Sequence, residues 1–326
     1  MLWQTKLGIL IIFAVSAIVL DGKSLTAPDL NLSITASWQG HAVPKFQNGY
    51  FAAYDPASVL LPQVYLHSRT GVELMRTQIA IPGAYREAIR DVSISSTGTL
   101  AVAGKAYTND GVQAWFIAWI DSNGLVERVV RTSPFGVQRI CFANDGSLWA
   151  TGIQVTPDFR NEADEYDVLR HYDSEGHLLQ SVLPRSSFTG RVAHNFVSPG
   201  EYGYLMPTGD HISYYSPTAL EWDEISASGS VLRRTPALKA IASGFKGPVQ
   251  AFGAAMLDSG EAYVSAHERD SSGKELSSMY RFDPATANWQ AVDTSQIGKV
   301  GVIIGFDGDQ LVIFRSAAHI FWTKVE

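Results

Sequence analysis

A glycine-containing turn recurs along the whole chain, and this recurrence restricts the possible folds more than any other feature. The turn lies between two strand-like apolar runs, and its glycines are spaced at intervals of about 53 residues. The clearest members are Gly71, Gly124, Gly176 and Gly229. A fixed period of this length is typical of proteins built from equivalent supersecondary units. The 326 residues are therefore interpreted as a series of repeats rather than as two unrelated domains.

Each period contains a second polar turn, which also carries glycine and is followed by an apolar strand. Glycine next to Asp, Asn or Ser provides the positive φ that tight hairpins need. Two such turns per period predict a four-stranded antiparallel unit. The copies of this second turn lie at Ser96–Gly104, Asn144–Gly152, Asp258–Ser265 and Asp307–Ile313, with a degenerate copy at Pro199–Leu205.

The best-preserved copy combines residues 145–150 (DGSLWA) with residues 169–176 (LRHYDSEG). Here the chain resembles β-propeller repeats of the NHL and six-bladed type, and as a pattern the resemblance extends over most of residues 40–326. It implies an all-β propeller, and about 300 residues at this period correspond to about six four-stranded antiparallel blades. The last unit has only three strands, so we expect Asn31–Trp38 to supply the fourth and to close the ring with strands from both termini.

The N-terminal residues 1–27 have the pattern of an export signal. An uninterrupted apolar run extends from Leu7 to Leu20, whereas a membrane-spanning helix needs roughly 18 or more apolar residues. Cleavage after Ala27 would place Leu25 where a small residue is preferred, so an uncleaved N-terminal anchor is an alternative. We expect a signal peptide or anchor over 1–27 and a single propeller domain over 28–326. The domain would lie outside the cytoplasm, secreted or periplasmic, and would meet a membrane only if the anchor is kept.

Composition and motifs exclude several classes of function. A formal charge of −7 and a pI of about 5.6 argue against a nucleic-acid partner. Motifs for an α/β-hydrolase nucleophile, a phosphate-binding loop or a dinucleotide site are absent, and Ser271 stands where a zinc motif beginning at His267 would need its second histidine. The single Cys141 lies in a strand-like run, so we expect a small buried side chain rather than a nucleophile. These features predict a monomer without a cofactor.

An acidic stretch at residues 158–167 is the one candidate for a metal site. Its carboxylates include Asp158, Asp164 and Asp167, and Ca²⁺ takes six to eight oxygen ligands. The stretch lacks both the glycine and the Asp-x-Asp alternation of an EF-hand loop. A solvated hairpin loop explains it more simply, and calcium is the alternative.

In the family that the chain resembles, ligands and catalytic groups collect at one mouth of the central channel. They come from residues before each innermost strand and from loops between the second and third strands. By this resemblance, the candidates for ligand-binding or catalytic residues before innermost strands are Arg90, Arg139, His194 and Asn195. The candidates in second-to-third loops are Lys105, Tyr107, Asp158, Arg160, His211, His267, Glu268 and Arg269. The ligand-binding prediction centres on Arg90, Arg139, His194, Asn195, His267 and Arg269. Such side chains suit an anionic or sugar-like ligand, and His194 with Glu268 could form a base and acid pair.

Three classes of function are compatible with these features. The favoured class is an exported propeller that binds a small molecule or a protein partner, because the sequence contains no nucleophile or metal signature. The second is a propeller hydrolase, lactonase or lyase with a metal or His/Glu site at the channel mouth. The third is a structural envelope component that keeps its N-terminal anchor. A superfold with many functions does not decide among them.

Overall fold

The structure is a computed structural model. It describes residues 23, 25, 30–32, 43–55, 61–156, 161–187, 204–216, 221–236, 238, 250–269, 275–316 and 319–324, and of residues 30–32, 221, 250–252, 267–269, 275, 276 and 316 the backbone alone. No helix in these ranges is long and apolar enough to cross a membrane.

The described residues form six antiparallel sheets of four strands each. A short 3₁₀ turn at Arg185–Ser187 follows the third sheet. In chain order the strands are β1 (Leu30–Leu32), β2 (Lys45–Gln47), β3 (Tyr50–Tyr54), β4 (Gln63–Ser68), β5 (Glu73–Gln78), β6 (Arg86–Ile94), β7 (Leu100–Tyr107), β8 (Gln113–Ile120), β9 (Val126–Arg131), β10 (Phe135–Phe142), β11 (Leu148–Gln154), β12 (Asp167–Tyr172), β13 (Leu178–Pro184), β14 (Tyr204–Thr208), β15 (His211–Ser216), β16 (Glu221–Ser226), β17 (Val231–Arg234), β18 (Gln250–Met256), β19 (Ala262–Arg269), β20 (Glu275–Asp283), β21 (Asn288–Ala291), β22 (Val302–Asp307), β23 (Gln310–Ser316) and β24 (His319–Thr323).

The six sheets are the blades of a propeller, as the sequence predicts. Blades one to five are the successive meanders β2–β5, β6–β9, β10–β13, β14–β17 and β18–β21, and blade six consists of β22–β24 with β1. The first strand of each blade lies innermost. Turns that join first to second and third to fourth strands lie on one side of the ring, here the lower face. Second-to-third loops and the connections between blades lie on the opposite, upper face.

Hydrophobic packing between neighbouring blades holds the ring together. Six clusters of buried side chains each join one blade to the next. Among the described residues, the largest fully buried side chains are Trp149, Trp222 and Trp322, one each in blades three, four and six. Large aromatic rings fill the wedge-shaped space between two twisted sheets, which explains why each unit depends on its neighbours for a core.

The N-terminal strand closes the ring, which confirms the prediction of a blade built from both termini. β1 pairs antiparallel with β24, with Leu30 opposite Trp322. The described strand covers Leu30–Leu32, and residues 33–38 of the predicted strand lie outside the described residues. Asp307 in blade six joins the closure to blade one, because Arg69 donates to its carboxylate and the Trp322 indole N–H donates at 2.8 Å.

Three of the periodic glycines, Gly124, Gly176 and Gly229, lie at contacts between blades. Gly229 has a φ of +83°, and a β-carbon there would lie 2.5 Å from Cγ1 of Val182 in the preceding blade. Gly176 repeats the arrangement at φ +85°, with a β-carbon position 2.7 Å from Cγ2 of Val130. These positions need glycine both for the left-handed backbone and for the close approach of the neighbouring blade.

Four of the six innermost strands contain a β-bulge at an equivalent place. The register shifts between Ile89 and Asp91 in β6 and between Val137 and Arg139 in β10. It shifts again between residues 251 and 253 in β18 and between residues 303 and 305 in β22. A bulge inserts one residue and re-aims the side chains that follow it. These bulges therefore decide which side chains enter the central channel.

Candidate functional site

A cavity of about 850 Å³ occupies the central channel. Innermost strands of blades one, two, three, four, five and six all contribute to its wall, and the lining extends down to the lower-face turns at Asn48, Asn144, Gly209, Asp258 and Gly308. The cavity therefore lies within the ring and extends towards the lower face, away from the upper mouth, where the family resemblance predicts a ligand site.

Blades one to three give the cavity a charged wall. The Lys45 ammonium donates to an Asp91 carboxylate oxygen at 2.8 Å and to the backbone carbonyl of Ile140 at 2.9 Å. The same Asp91 oxygen accepts the backbone N–H of Ile140 at 2.8 Å. One carboxylate thus joins three blades. The Asp91 side chain is 8% exposed, and this oxygen accepts two hydrogen bonds, which makes the pair rigid.

Arg139 lies beside this pair, and its position depends on two backbone carbonyls. One terminal nitrogen of its guanidinium donates to the carbonyl of Gln138 at 3.0 Å and to that of Arg90 at 3.2 Å. The Tyr54 hydroxyl donates to the same Arg90 carbonyl at 2.6 Å. Burial raises the pKa of Tyr54 to about 12, so this phenol is a neutral hydrogen-bond donor rather than a base.

A second group of polar side chains joins blades one, two and three, and one of them, Gln47, also lines the cavity. The Ser93 hydroxyl donates to Gln47 Oε1 at 2.9 Å and accepts the backbone N–H of Phe142 at 2.9 Å. The Gln47 amide also reaches Cys141 Sγ at 3.9 Å. Cys141 is 1% exposed, and burial raises its pKa to about 12. The prediction that this cysteine is a small buried side chain is confirmed, and its thiol is inert at neutral pH.

Blades four to six give the cavity an apolar wall. Its side chains include Leu205, Met206, Met256, Ile303 and Ile304. The residue that follows the bulge is Asp91 in β6 and Arg139 in β10, but the equivalent residues of β18 and β22 are glycines. A β-carbon on the glycine of β18 would lie 2.6 Å from a backbone nitrogen of blade six, so no larger residue fits there. The two halves of the wall consequently differ in chemistry.

Backbone and side-chain hydrogen bonds connect the lower rim of the cavity across blades three to five. The Asn144 amide donates to the carbonyl of Gly209. The N–H of Gly209 donates to Asp258 at 2.7 Å. Three lower-face turns are thereby held at fixed spacing where the cavity lining ends.

Blade three contains an Asp–Ser–His arrangement that resembles a catalytic triad but is bonded differently. His171 Nε2 lies 2.7 Å from Ser147 Oγ, and the Ser147 hydroxyl donates to Asp145 at 2.6 Å. The Gln180 amide nitrogen donates to the carbonyl of Ala227 at 2.8 Å, which fixes its orientation, and also contacts His171 Nδ1 at 3.2 Å. Nδ1 is then the acceptor and Nε2–H donates to serine.

This proton arrangement makes the imidazole a structural link. A general base would have to accept the serine proton, whereas here the serine proton is directed to aspartate. The His171 ring stacks on Trp149 at 4.2 Å between centroids, and burial lowers its pKa. The neutral histidine therefore connects blade three, through Gln180, to a lower-face turn of blade four.

The predicted site residues are distributed over several places. Arg90 and Arg139 lie inside β6 and β10 rather than before them, because each innermost strand begins earlier than its apolar run suggests. Lys105 and Tyr107 end β7 instead of lying in a loop. His211 was wrongly assigned to a second-to-third loop: a tight turn with Gly209 at φ +57° makes it the first residue of β15 on the lower face.

Of the remaining predicted residues, Asp164 and Asp167 are fully described, and neither lines the cavity. His267, Glu268 and Arg269 end β19, where the backbone alone is described. Asp164 lies in the loop before β12, where its carbonyl accepts Arg185 at 2.7 Å, and Asp167 begins β12. The described residues contain no group of three or more His, Cys, Asp or Glu placed to hold a metal ion. His194, Asn195, Asp158 and Arg160 lie outside the described residues.

Sequence reasoning missed Lys45, Asp91 and Tyr54. A signal for Asp91 exists, because an acidic residue interrupts an apolar run that should be buried on both faces. Lys45 gives no comparable signal, since it precedes its apolar residues at the end of a loop. Tyr54 looks like an ordinary strand aromatic until its hydroxyl is placed on the neighbouring blade.

Several solved structures share this fold at low sequence identity. A Bacteroides fragilis protein inferred to be exported has a TM-score of 0.57 and 10% identity, over 93% of this chain and 95% of its own. A member of the DUF4221 family from Bacteroides vulgatus has a TM-score of 0.52 and 10% identity, over 94% and 99%. Hydrazine synthase of Kuenenia stuttgartiensis has a TM-score of 0.51 and 11% identity, over 84% and 73%. No family model and no curated protein matches the chain. These likenesses establish the fold alone.

Proposed function

We propose that this protein is an exported β-propeller that binds a small amphipathic molecule in its central cavity. The division of the cavity wall above its lower rim carries this proposal: charged side chains come from blades one to three and apolar side chains from blades four to six, while Asp258 and Asp309 lie at the lower rim. The volume of about 850 Å³ falls in the usual range for small-molecule sites, roughly 300–1,000 Å³. A ligand with a polar group and an apolar body would find a matching wall for each part.

The charged wall is suited to recognition because its geometry is set before a ligand arrives. Lys45 and Arg139 each donate to a backbone carbonyl of another blade, and Asp91 accepts a backbone N–H of blade three. Side chains that are already ordered lose little conformational entropy on binding. The apolar wall contributes through the burial of hydrophobic surface, at roughly 25 cal/mol per Å².

Binding is favoured over hydrolysis or lyase chemistry by the state of the cavity's polar groups. A catalytic acid or base needs a pKa near the working pH. The Tyr54 hydroxyl has a pKa of about 12, and the carboxylate of Asp91 is engaged by an ammonium and a backbone N–H. These groups hold and orient rather than exchange protons. Export rests on the apolar run of residues 7–20, and N-terminal sequencing of the mature protein tests it.

Two related fluorescent probes test the proposal. N-phenyl-1-naphthylamine is neutral and apolar, and 8-anilinonaphthalene-1-sulfonate adds one anionic group to the same ring system. We expect both to bind with one site per chain, the sulfonate more tightly because the charged wall holds two cations, Lys45 and Arg139, and one carboxylate, while the other two lining carboxylates, Asp258 and Asp309, lie at the lower rim. Val302 lines the cavity, so Val302→Trp should weaken both probes by roughly tenfold or more by filling it.

Val129→Trp is the matched control, because it makes the same substitution on outer strand β9, where the side chain is 36% exposed. It should leave both affinities within about twofold of wild type. A ligand site in the cavity would be refuted if neither probe bound. It would also be refuted if Val302→Trp and Val129→Trp bound the probes with equal affinity.

A further inference from the structure

A ladder of alternating cations and aromatic rings lies on blade two, away from the cavity's charged pair. The Arg86 guanidinium lies 5.4 Å from the centre of the Tyr107 ring, and the Lys105 ammonium lies 5.3 Å from the same centre. Lys105 is also 5.2 Å from the Trp115 ring, and the Arg90 guanidinium is 6.0 Å from it. Each ring thus has two cations within cation–π distance.

Strand register produces this ladder. Arg86 pairs directly with Tyr107, and Lys105 pairs directly with Trp115. Alternate residues of a strand share a face, so Arg86 and Ala88 project on the same side of β6. Arg90, at the bulge, reaches this side as well, because its guanidinium lies over the Trp115 ring. Ala88 stands opposite Lys105 and is too small to separate the lysine from the two arginines.

The bulge of β6 fixes the inner end of the ladder. Arg90 is the inserted residue, and its carbonyl accepts hydrogen bonds from Tyr54 at 2.6 Å and Arg139 at 3.2 Å. With its backbone held in this way, the Arg90 side chain extends towards Trp115. Its Nε is buried and makes no hydrogen bond within the described structure. A buried donor of a charged group without an acceptor is costly, and a bound oxyanion would supply one.

Lys105 and Arg90 place two positive charges close together on neighbouring strands, and these charges repel each other. The pKa of Lys105 is lowered, first by burial and then by the positive charge of Arg90. The π faces of two rings offset part of this repulsion. An anion placed across the ladder would offset more, and it would draw on all three cations at once.

We propose that the ladder Arg86–Tyr107–Lys105–Trp115–Arg90 is a binding site for a ligand that carries two or more oxyanion groups. Arg86 and Arg90 are four residues apart, which places the ends of the ladder roughly 13 Å from each other along the strand. A linear oligoanion matches this extent better than a single phosphate or carboxylate. Oligophosphates and oligouronates both carry this chemistry.

The site is separate from the cavity. Trp115 packs against blade three, where a β-carbon on Gly136 would lie 2.9 Å from its ring. The ladder therefore lies at the wedge between blades two and three, where β6 begins and β7 ends. That position is on the upper face, whereas the cavity lining extends to the lower-face turns.

Calorimetric titration of the full mature protein with tripolyphosphate and with trigalacturonate tests the proposal, with orthophosphate and neutral maltotriose as comparison ligands. We expect one site per chain for at least one of the two oligoanions, with affinity that falls as salt is raised. Orthophosphate and maltotriose should bind at least about tenfold more weakly. The oligoanion that binds identifies the source of the ligand.

Lys105→Gln should weaken oligoanion binding by at least about tenfold, because it removes the central cation. Arg76→Gln is the matched control: Arg76 also lies over a ring, 5.1 Å from Tyr65, but it pairs with Glu73 on an outer strand. This variant should bind as wild type does. Melting temperatures of both variants check that they are folded.

Competitive acetylation of wild-type protein adds a measurement that needs no variant. Lys105 should acetylate faster than ordinary lysines near neutral pH, and saturating oligoanion should slow it several-fold because the anion stabilises the ammonium form. Failure of both oligoanions to bind would overturn the site. Wild-type affinity in Lys105→Gln, together with an acetylation rate of Lys105 that saturating oligoanion does not change, would overturn it as well and leave the ladder as a structural feature. The two naphthylamine probes report on the cavity independently of this result.

Discussion

The contact between blades at Gly229 gives a stability prediction that can be worked from geometry. Gly229→Ala adds one methyl group at a turn between third and fourth strands. The residue has φ +83°, and the new carbon would lie 2.5 Å from Val182 Cγ1 and 2.9 Å from Gln180 Oε1. Two effects therefore combine: the left-handed backbone conformation and an overlap with the preceding blade.

Gly146→Ala separates these two effects. Gly146 has φ +84°, but a β-carbon there would meet no atom within 4 Å. Its cost is therefore the backbone term alone, about 1–2 kcal/mol. Gly229→Ala carries the same backbone term and an overpacking term of about 1–3 kcal/mol. We expect Gly229→Ala to be the more destabilising by the overpacking term.

Urea unfolding monitored by tryptophan fluorescence measures the difference as a change in midpoint at constant slope. Val182→Ala removes the atom that the new methyl group would meet. In the Gly229→Ala background it should recover most of the difference from Gly146→Ala, which a double-mutant cycle reports as a coupling energy. Equal destabilisation by the two glycine variants, or no coupling with Val182, would refute the idea that the periodic glycines mark blade-to-blade contacts.

Three further predictions concern titration, ring closure and thiol reactivity. Burial lowers the pKa of His171 below its ordinary value of 6.5. The contribution of His171 to stability is therefore complete above pH 6.5 and is lost as the pH falls through the lower folded-state pKa. His171→Phe should flatten this part of the stability profile, as measured by urea unfolding. Asp307→Asn should lower the free energy of unfolding by under about 1 kcal/mol, because it removes a partly exposed ion pair. Asp307→Ala should lower it by about 1–3 kcal/mol, because it also leaves the buried Trp322 indole without its acceptor. The urea midpoints of the two variants measure this difference. Cys141 should react with a thiol reagent only as fast as the protein unfolds, and rapid labelling of the native protein would contradict its burial.

The repeat was readable from sequence because its determinants are local. A hairpin needs a residue with positive φ within two or three positions of its partners, and the glycines at 71, 124, 176 and 229 provide it wherever they occur. Strand count and ring closure follow from counting these turns. The 53-residue spacing therefore carries the blade architecture without any knowledge of the distant contacts.

The candidate sites could not be read in the same way, because they depend on residues far apart in sequence. Lys45 meets Asp91 across 46 positions and meets the carbonyl of Ile140 across 95. Bulges in the innermost strands shift the alternation of side chains by one residue, so a period-two pattern assigns the channel face incorrectly after each bulge. Sequence by itself determined the blades, their number and how the ring closes. The tertiary structure alone decided which side chains face the channel, since convergence of six strands and the aim of each bulge are set by packing between blades.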